Sequence, residues 1–290
     1  MKTQLNVIID SDVSNDVDDV FALAYSLASP ELNIELISIA PFSATYKRAS
    51  LKDSIVDSEL EAKRLLMQFG RKDFSIIKRG CTDFLPEEGT ITSPATEEII
   101  KIAKKNKKTT FIAIAPLTNL AAALLKEPKI AKKLDVVFLG TQHIFNDKFT
   151  DFNYSKDKRA FEIVVKSGVN LTVIPSSAVR QIVTSTYEAR AHLCVNKVGK
   201  YLYRTLKNSV FNIPSRGIKI VQDLAPIAYI LHKDWFKEKV LPANELLKEQ
   251  KKTDKNRTVN YVYELNCRVE IWLDFLKRIE ALGVEKEQVK

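Results

Sequence analysis

The sequence predicts an α/β protein built on a mostly parallel sheet flanked by helices, as in a Rossmann-like open sheet, with a small C-terminal strand and helix extension. Two observations predict it. Short apolar, β-branched runs recur along the chain, namely LNVIID, NIELISIA, FSIIK, TTFIAIA, DVVFLG and NLTVIPSS. Segments with helical spacing lie between them, so right-handed strand–helix–strand crossovers connect neighbouring parallel strands.

The runs rich in Val and Ile read as strands buried on both faces. The helical segments are Val17 to Leu27, Leu60 to Phe69, Thr96 to Ala103, Asn119 to Leu125, Lys158 to Val165 and Leu224 to Leu231. Near the C-terminus, VNYVYELN alternates apolar and polar residues as an antiparallel or edge strand does, and a last helix is expected from about Val269 to Ala281. In an open sheet of this kind ligands bind beyond the carboxyl ends of the strands, so residues at those ends carry the functional expectations.

With 290 residues, 45% of them hydrophobic, and no Gly/Ser-rich or Pro-rich linker or repeat, residues 1–290 read as one domain. The first residues, MKTQLNVIIDSD, are too short and too acidic for a signal peptide or a membrane span. Cys81, Cys194 and Cys267 are odd in number and lack metal-ligand spacing, which argues against a disulfide framework and a zinc site and favours a reducing cytoplasm. The net charge of +9 raises the question of a polyanionic partner. The lysines answer it in part, because runs such as Lys104, Lys105, Lys107 and Lys108, or Lys248, Lys251 and Lys252, lack interleaved aromatics and read as solvated surface. Neither a nucleic-acid nor a membrane partner is expected.

The strongest chemical signal stands at the end of the first strand. There the chain reads Asp10-Ser11-Asp12-Val13-Ser14-Asn15-Asp16-Val17-Asp18-Asp19 before an apolar helix. Five carboxylates in ten residues repel one another unless a cation sits among them, and a hard divalent ion with oxygen ligands, calcium or magnesium, suits them. Helix capping accounts for one or two of these residues, but not for Asp10 and Asp12 at the end of a buried strand. A run of apolar residues followed by Asp-x-Asp also opens haloacid-dehalogenase-type phosphatases. In that reading Asp10 is the phosphoryl acceptor and Asp12 a general acid, with Ser176 and Asp223 filling part of the remaining set.

Four segments together resemble the inosine-uridine-preferring nucleoside hydrolase family, from Asp10 to about Leu282. DSDVSNDVDDV is similar to the family's DTDxGxDDA, with a loop two residues longer and Ser14 where a glycine often falls. IAIAPLTNLAAALLKEP is similar to ALGPLTNLALAL, DVVFLGTQHI with TDFNYSKDKRAFEIVVKSG to the MGG, EFN and DPEAA stretch, and IVQDLAPIAYIL to HDPLA. The resemblance implies a nucleoside-hydrolase-like fold and metal-dependent hydrolysis of the N-glycosidic bond of a ribonucleoside or related riboside. It makes Asp12 a metal ligand and the general base. It makes Asp19, Asp223 and the Ile114 carbonyl the other ligands of a calcium ion, with magnesium second. Asp18, Asn153 and Asp151 then bind the sugar, with Asp10 and Gln222 in support.

The departures are Ser14, Thr141 at a glycine position, Asp151 for Glu, and Gln222 where many members carry a His that assists the leaving base. The family's HGxxGL loop has no match; RGCTDFLPEEG stands there. These departures motivate an alternative, a catalytically impaired relative that binds a riboside or metabolite. His143, after a strand end, is a candidate acid for the leaving base, ahead of His192 and His232. Trp235 and Phe236 read as core at helical spacing rather than as a base-stacking pair. Relatives are often dimers or tetramers, so the resemblance also implies a homo-oligomer.

Overall fold

The computed structural model describes residues 4–43, 50–141, 151–209, 217–247 and 256–283. His143 and Lys248, Lys251 and Lys252 lie outside the described residues.

From the N-terminus the chain forms β1 (Leu5–Ser11), α1 (Val17–Leu27), β2 (Leu32–Ile39), α2 (Leu51–Gln68), β3 (Ile77–Arg79), α3 (Pro94–Lys105), β4 (Thr109–Ala113) and α4 (Thr118–Lys126). It continues through β5 (Leu134–Leu139), α5 (Phe152–Lys156), α6 (Lys158–Lys166), β6 (Asn170–Ile174) and α7 (Ser176–Val179). A small excursion follows, with β7 (Val183–Ser185), α8 (Thr186–Leu193), α9 (Lys197–Lys207) and β8 (Ile218–Ile220). The chain then returns through α10 (Leu224–Leu231), β9 (Phe236–Pro242), α11 (Ala243–Leu247), β10 (Thr258–Leu265) and α12 (Arg268–Glu280).

Eight strands make the main sheet in the order β3-β2-β1-β4-β5-β6-β10-β9. All neighbours pair in parallel except β10 with β9. β7 and β8 form a separate antiparallel pair. This is the predicted open α/β sheet. Because β1 feeds outward to β2 on one side and pairs with β4 on the other, the strand order reverses at β1 and β4. The crevice beyond their carboxyl ends is where such sheets accept ligands.

Two layers cover the sheet. Side chains alternate faces along a strand, so Val7 and Ile9 join the layer that includes α1, α2, α9, α10 and α12, while Ile8 joins α3, α4, α6 and α11 on the other side. In the first layer Phe21 of α1 packs against Trp272 and Phe275 of α12, with ring centroids 6.2 and 5.5 Å away. That contact ties the C-terminal helix to the helix that carries the acid loop.

Four expectations are revised. The second helix starts at Leu51 rather than Leu60, since Ser50 and Asp53 form a capping box that holds two polar turns the apolar spacing does not mark. VNYVYELN is β10 and pairs antiparallel with β9 as expected, but it lies inside the sheet between β6 and β9, so the edge alternative does not hold. β9 takes the edge. Phe236 is buried in the core as expected, yet it opens that strand, and Trp235 ends a short 3-10 turn with its ring stacked on His232 at 4.0 Å. The amphipathic helix α9 has no counterpart in the sequence reading.

Of the basic runs, Lys104, Lys105 and Lys108 are exposed and pair with Glu127, Glu35 and Asp135, as solvated surface charges do. No helix among the described residues is long and apolar enough to cross a membrane.

Candidate metal and sugar site

Strand β1 is continuous with the acid loop. The end of β1, the start of the loop and the first turn of α1 are enclosed: Asp10, Ser11, Asp12, Asp18 and Asp19 are all buried. Asp16 caps α1, its Oδ1 accepting from the Val17 N–H at 2.6 Å and its Oδ2 from the Lys219 ammonium. The cap fixes the first turn of α1, so that Asp18 and Asp19 project from the positive end of the helix dipole. Ser11 Oγ donates to Asp19 at 2.6 Å, and Asn15 Nδ2 donates to Asp12 Oδ2 at 2.9 Å.

Asp223 arrives from the other half of the chain at the start of α10. It stands in the capping position but makes no side-chain cap. Its carboxylate, with those of Asp18 and Asp19, contributes a trio of oxygens within 4.8 Å of one another, all three residues buried. Burial pushes all three carboxyls well above the ordinary range, and neighbouring carboxylates push further, Asp16 and Asp19 on Asp18, Asp12 and Asp16 on Asp19, and Asp18 and Asp19 on Asp223, while a hydrogen bond with Asp223 works the other way on Asp19. The sequence expectation named Asp12 with Asp19 and Asp223, whereas the trio contains Asp18. Asp12 stands beside it, lining the same cavity, and burial raises its carboxyl to about 8 with smaller contributions from Asp18 and Asp10.

That cavity, of about 240 Å³, is lined by Asp12, Asn15, Asp16, Asp18, Asp19, Ile114, Asp151, Phe152, Asn153, Gln222 and Asp223. Of the metal-ligand, sugar-binding and supporting residues that the family resemblance names, all are there except Asp10. Ile114 lies one residue past β4, its N–H bonded to the Asp10 carbonyl at 3.0 Å. Its own carbonyl accepts from Asn153 Nδ2 at 3.1 Å, and the same nitrogen reaches the Leu139 carbonyl at 3.0 Å. Asn153 therefore bridges the ends of β4 and β5. Asp151 caps α5, accepting from the Tyr154 N–H at 3.1 Å and from the Ser176 hydroxyl, and burial raises its carboxyl. Thr141 reaches it with a backbone N–H from a left-handed conformation, φ 86°, in which a β-branched residue is strained.

Asp10 sits beneath the cavity rather than on it. Its Oδ1 accepts from Asn119 Nδ2 at 2.9 Å, its Oδ2 has no partner among the described residues, and burial pushes the carboxyl up to about 7. A carboxylate so enclosed is out of reach of a phosphate ester, and Ser176 is engaged with Asp151, so the phosphatase arrangement is not present.

Asn119 does not cap the helix in whose first turn it stands. From the first turn of α4 its amide also donates to Ser38 Oγ and the Ile39 carbonyl, at 3.1 and 3.2 Å, and accepts from the Cys81 N–H at 2.8 Å. One side chain thus joins the carboxyl ends of β1 and β2 to the segment after β3. Gly80 makes this approach feasible, since a Cβ there would lie 2.0 Å from the Ile39 carbonyl. The sequence signal was available, as Asn119 is the one amide inside an otherwise apolar run. Lys219, Phe152 and Arg180 carried no such signal. Together with Gln222 they line a second cavity, of about 290 Å³, that shares Asp16, Asp18 and Asp151 with the first. His192 is exposed on α8, and His232 lies 3.4 Å from Asp274; neither lines the cavities.

Known proteins resemble this chain in sequence and in fold. A sequence model described as "Inosine-uridine preferring nucleoside hydrolase" matches residues 7–271. The non-specific ribonucleoside hydrolase RihC of Salmonella paratyphi B is 22% identical over 262 residues, covering 81% of each chain. Among solved structures, the plant nucleoside hydrolase PpNRh1 superposes with a TM-score of 0.77 at 19% identity, covering 96% of this chain and 99% of that one. A purine-preferring ribonucleoside hydrolase from Gardnerella vaginalis gives 0.71 at 20% identity over 96% and 98%. The structural likenesses establish the fold alone. The sequence match runs from β1 and its acid loop past the turn that carries Asp223, and the chain belongs to the inosine-uridine preferring nucleoside hydrolase family.

Proposed function

We propose that the protein hydrolyses the N-glycosidic bond of a ribonucleoside or related riboside, with a divalent cation, calcium before magnesium, at the buried acid cluster. The observation that carries this reading is the convergence of Asp223 with Asp18 and Asp19 inside 4.8 Å. The donor set fits a hard cation, because it offers only oxygens and its carboxyls are buried together without enough hydrogen-bond donors to neutralise them. Asp12, Asp19, Asp223 and the Ile114 carbonyl are read as the ligands, and Asp18 as reaching both the ion and the sugar diol. When bound, the ion would supply Lewis acidity and cancel the repulsion among the carboxylates.

The chain's own residues do the rest. Asp12, held by Asn15, takes the proton of the attacking water. The bond between the anomeric carbon and the base nitrogen breaks through an oxocarbenium-like transition state as the water oxygen adds. Asp18, Asn153 and Asp151 hold the sugar, and the network of Asp10 and Asn119 below keeps the end of β1 in place. The substrate is a small riboside, in keeping with a cavity of about 240 Å³. The chain is further read as a single cytoplasmic domain, and its assembly as a homo-oligomer rests on the family resemblance alone.

The test is direct. Protein stripped with chelator and reloaded with calcium should release reducing sugar from inosine or uridine, and Asp12→Asn should lower the rate at least about 100-fold. Absence of release from every common ribonucleoside, with Asp12→Asn behaving as the parent, would defeat the reading.

A further inference from the structure

A third cavity, of about 540 Å³, is larger than either of those and takes no part in the hydrolytic reading. Its walls come from α2, with Asp57, Leu60, Glu61 and Arg64, and from α9, with Tyr201 and Thr205. The acid loop and the start of α1 close it. Ser14, Asn15 and Asp16 line it, and Asn15 and Asp16 line the metal cavity as well. The loop is tied to α2, the Ser14 N–H donating to Ser58 Oγ at 3.2 Å and the two hydroxyls lying 3.1 Å apart. In the same loop Asn15 holds Asp12, and Asp16 caps α1. A molecule resting on Ser14 and Asn15 therefore bears on the residues that set the cation site.

The lining selects the occupant. Glu61 is engaged by Arg64 at 3.2 Å and by the Tyr201 hydroxyl, and Asp16 by Lys219. Arg64 thus already faces a carboxylate, which disfavours an anionic ligand. Asp57 is exposed on the cavity and makes no ion pair among the described residues. Leu60, 43% exposed, and the partly buried Tyr201 offer apolar surface, while Ser14, Asn15, Thr205 and Asn208 carry both donors and acceptors. A neutral, flat heterocycle with donors and acceptors around its edge, and an amino N–H for a carboxylate, matches these groups, and the volume is that of a small-molecule pocket.

We propose that this cleft is a second ligand site, which takes an aminopurine base with its amino group on Asp57, and that the bound base steadies the acid loop and so tightens cation binding at the neighbouring site. Base and cation need the same loop in the same place, because the base lies on Ser14 and Asn15 while Asn15 holds Asp12. The coupling is reciprocal by linkage. Only this coupling rests on the cation reading above; the cleft itself does not.

Calorimetric titration of adenine into the full chain, in EDTA and in calcium, tests both parts. Adenine should bind with a Kd below about 1 mM, about tenfold more weakly to Asp57→Ala, and not measurably to Thr205→Trp, whose indole fills the cleft. Circular dichroism and a calcium titration without adenine should match the parent for both variants. Saturating ribose in calcium should leave adenine binding in place, which separates the cleft from the metal cavity. With adenine bound, the parent should hold calcium about fivefold more tightly, and Thr205→Trp should not respond. Adenine that fails to bind, that binds both variants as well as the parent, or that ribose displaces would overturn the site. Calcium affinity unchanged by bound adenine would overturn the coupling. A protein that binds no calcium at all would refute the cation reading instead, and the titrations in EDTA would still decide on the cleft.

Discussion

Asp223→Asn should reverse its effect on stability according to whether calcium is present. Two unit charges 4.8 Å apart, the outer separation of the oxygens in the trio, repel by about 3 kcal/mol at an effective dielectric constant near 20. Asp223 faces two such neighbours. Protonation already relieves part of this, as the strongly raised carboxyls show, so the amide is expected to stabilise the metal-free protein by about 1–3 kcal/mol, a Tm rise of roughly 2–6 °C. No cap is lost, because Asp223 makes none, and an amide still offers a donor to Asp19. In calcium the order inverts. At a concentration 100 times Kd the parent gains about 2.7 kcal/mol, and the variant, short of one anionic ligand, should lose most of that gain. Differential scanning calorimetry in EDTA and in calcium measures both arms. A variant less stable than the parent in EDTA, or stabilised by calcium as much as the parent, would refute the view that these carboxylates form a cation site.

Three more outcomes follow from the same geometry. Burial raises Asp10 from 3.8 to about 7 and Asp12 to about 8, so between about pH 4 and pH 8 the folded chain holds more protons than the unfolded one. The stability these groups contribute is fully present below 3.8 and is lost as pH rises through 7 to 8; urea unfolding in EDTA should show that decline, with calcium flattening it. Asn119→Ala removes a hydrogen bond to a buried carboxyl and strands the Cys81 N–H, which should cost about 3–5 kcal/mol in urea midpoint at unchanged m. Gly80→Ala should cost a comparable amount, because its Cβ would collide with a backbone carbonyl rather than a yielding side chain; a loss below about 1 kcal/mol for either would contradict the network.

Much of the fold was legible because each buried parallel strand announces itself as a β-branched run and each core helix as a 3.6-residue stripe. The helix Leu224–Leu231 was read to the residue, since apolar positions fill it throughout and Asp223 precedes it. Where polar hydrogen bonds rather than apolar spacing hold an element, the reading fell short, as with the first turns of α2, and it also missed α9, whose apolar stripe of Val198, Leu202 and Leu206 is only three residues long between charged and polar ones. The edge strand β9 was hidden for a related reason. Its sequence, FKEKVLP, follows a short 3-10 turn, and only pairing with β10 makes it a strand.

The sequence by itself determined that five carboxylates crowd the end of a buried strand and that a sixth, Asp223, opens a later helix, because those are facts of local order and hydrophobic pattern. Only the tertiary structure decided which of them meet. Strand order and helix start set the direction of each side chain, so Asp18 joins Asp19 and Asp223, Asp12 lines the cavity beside them, and Asp10 turns under the sheet end to Asn119. Convergence over a distance of a few ångströms depends on sheet topology and crossovers, which no run of adjacent residues encodes.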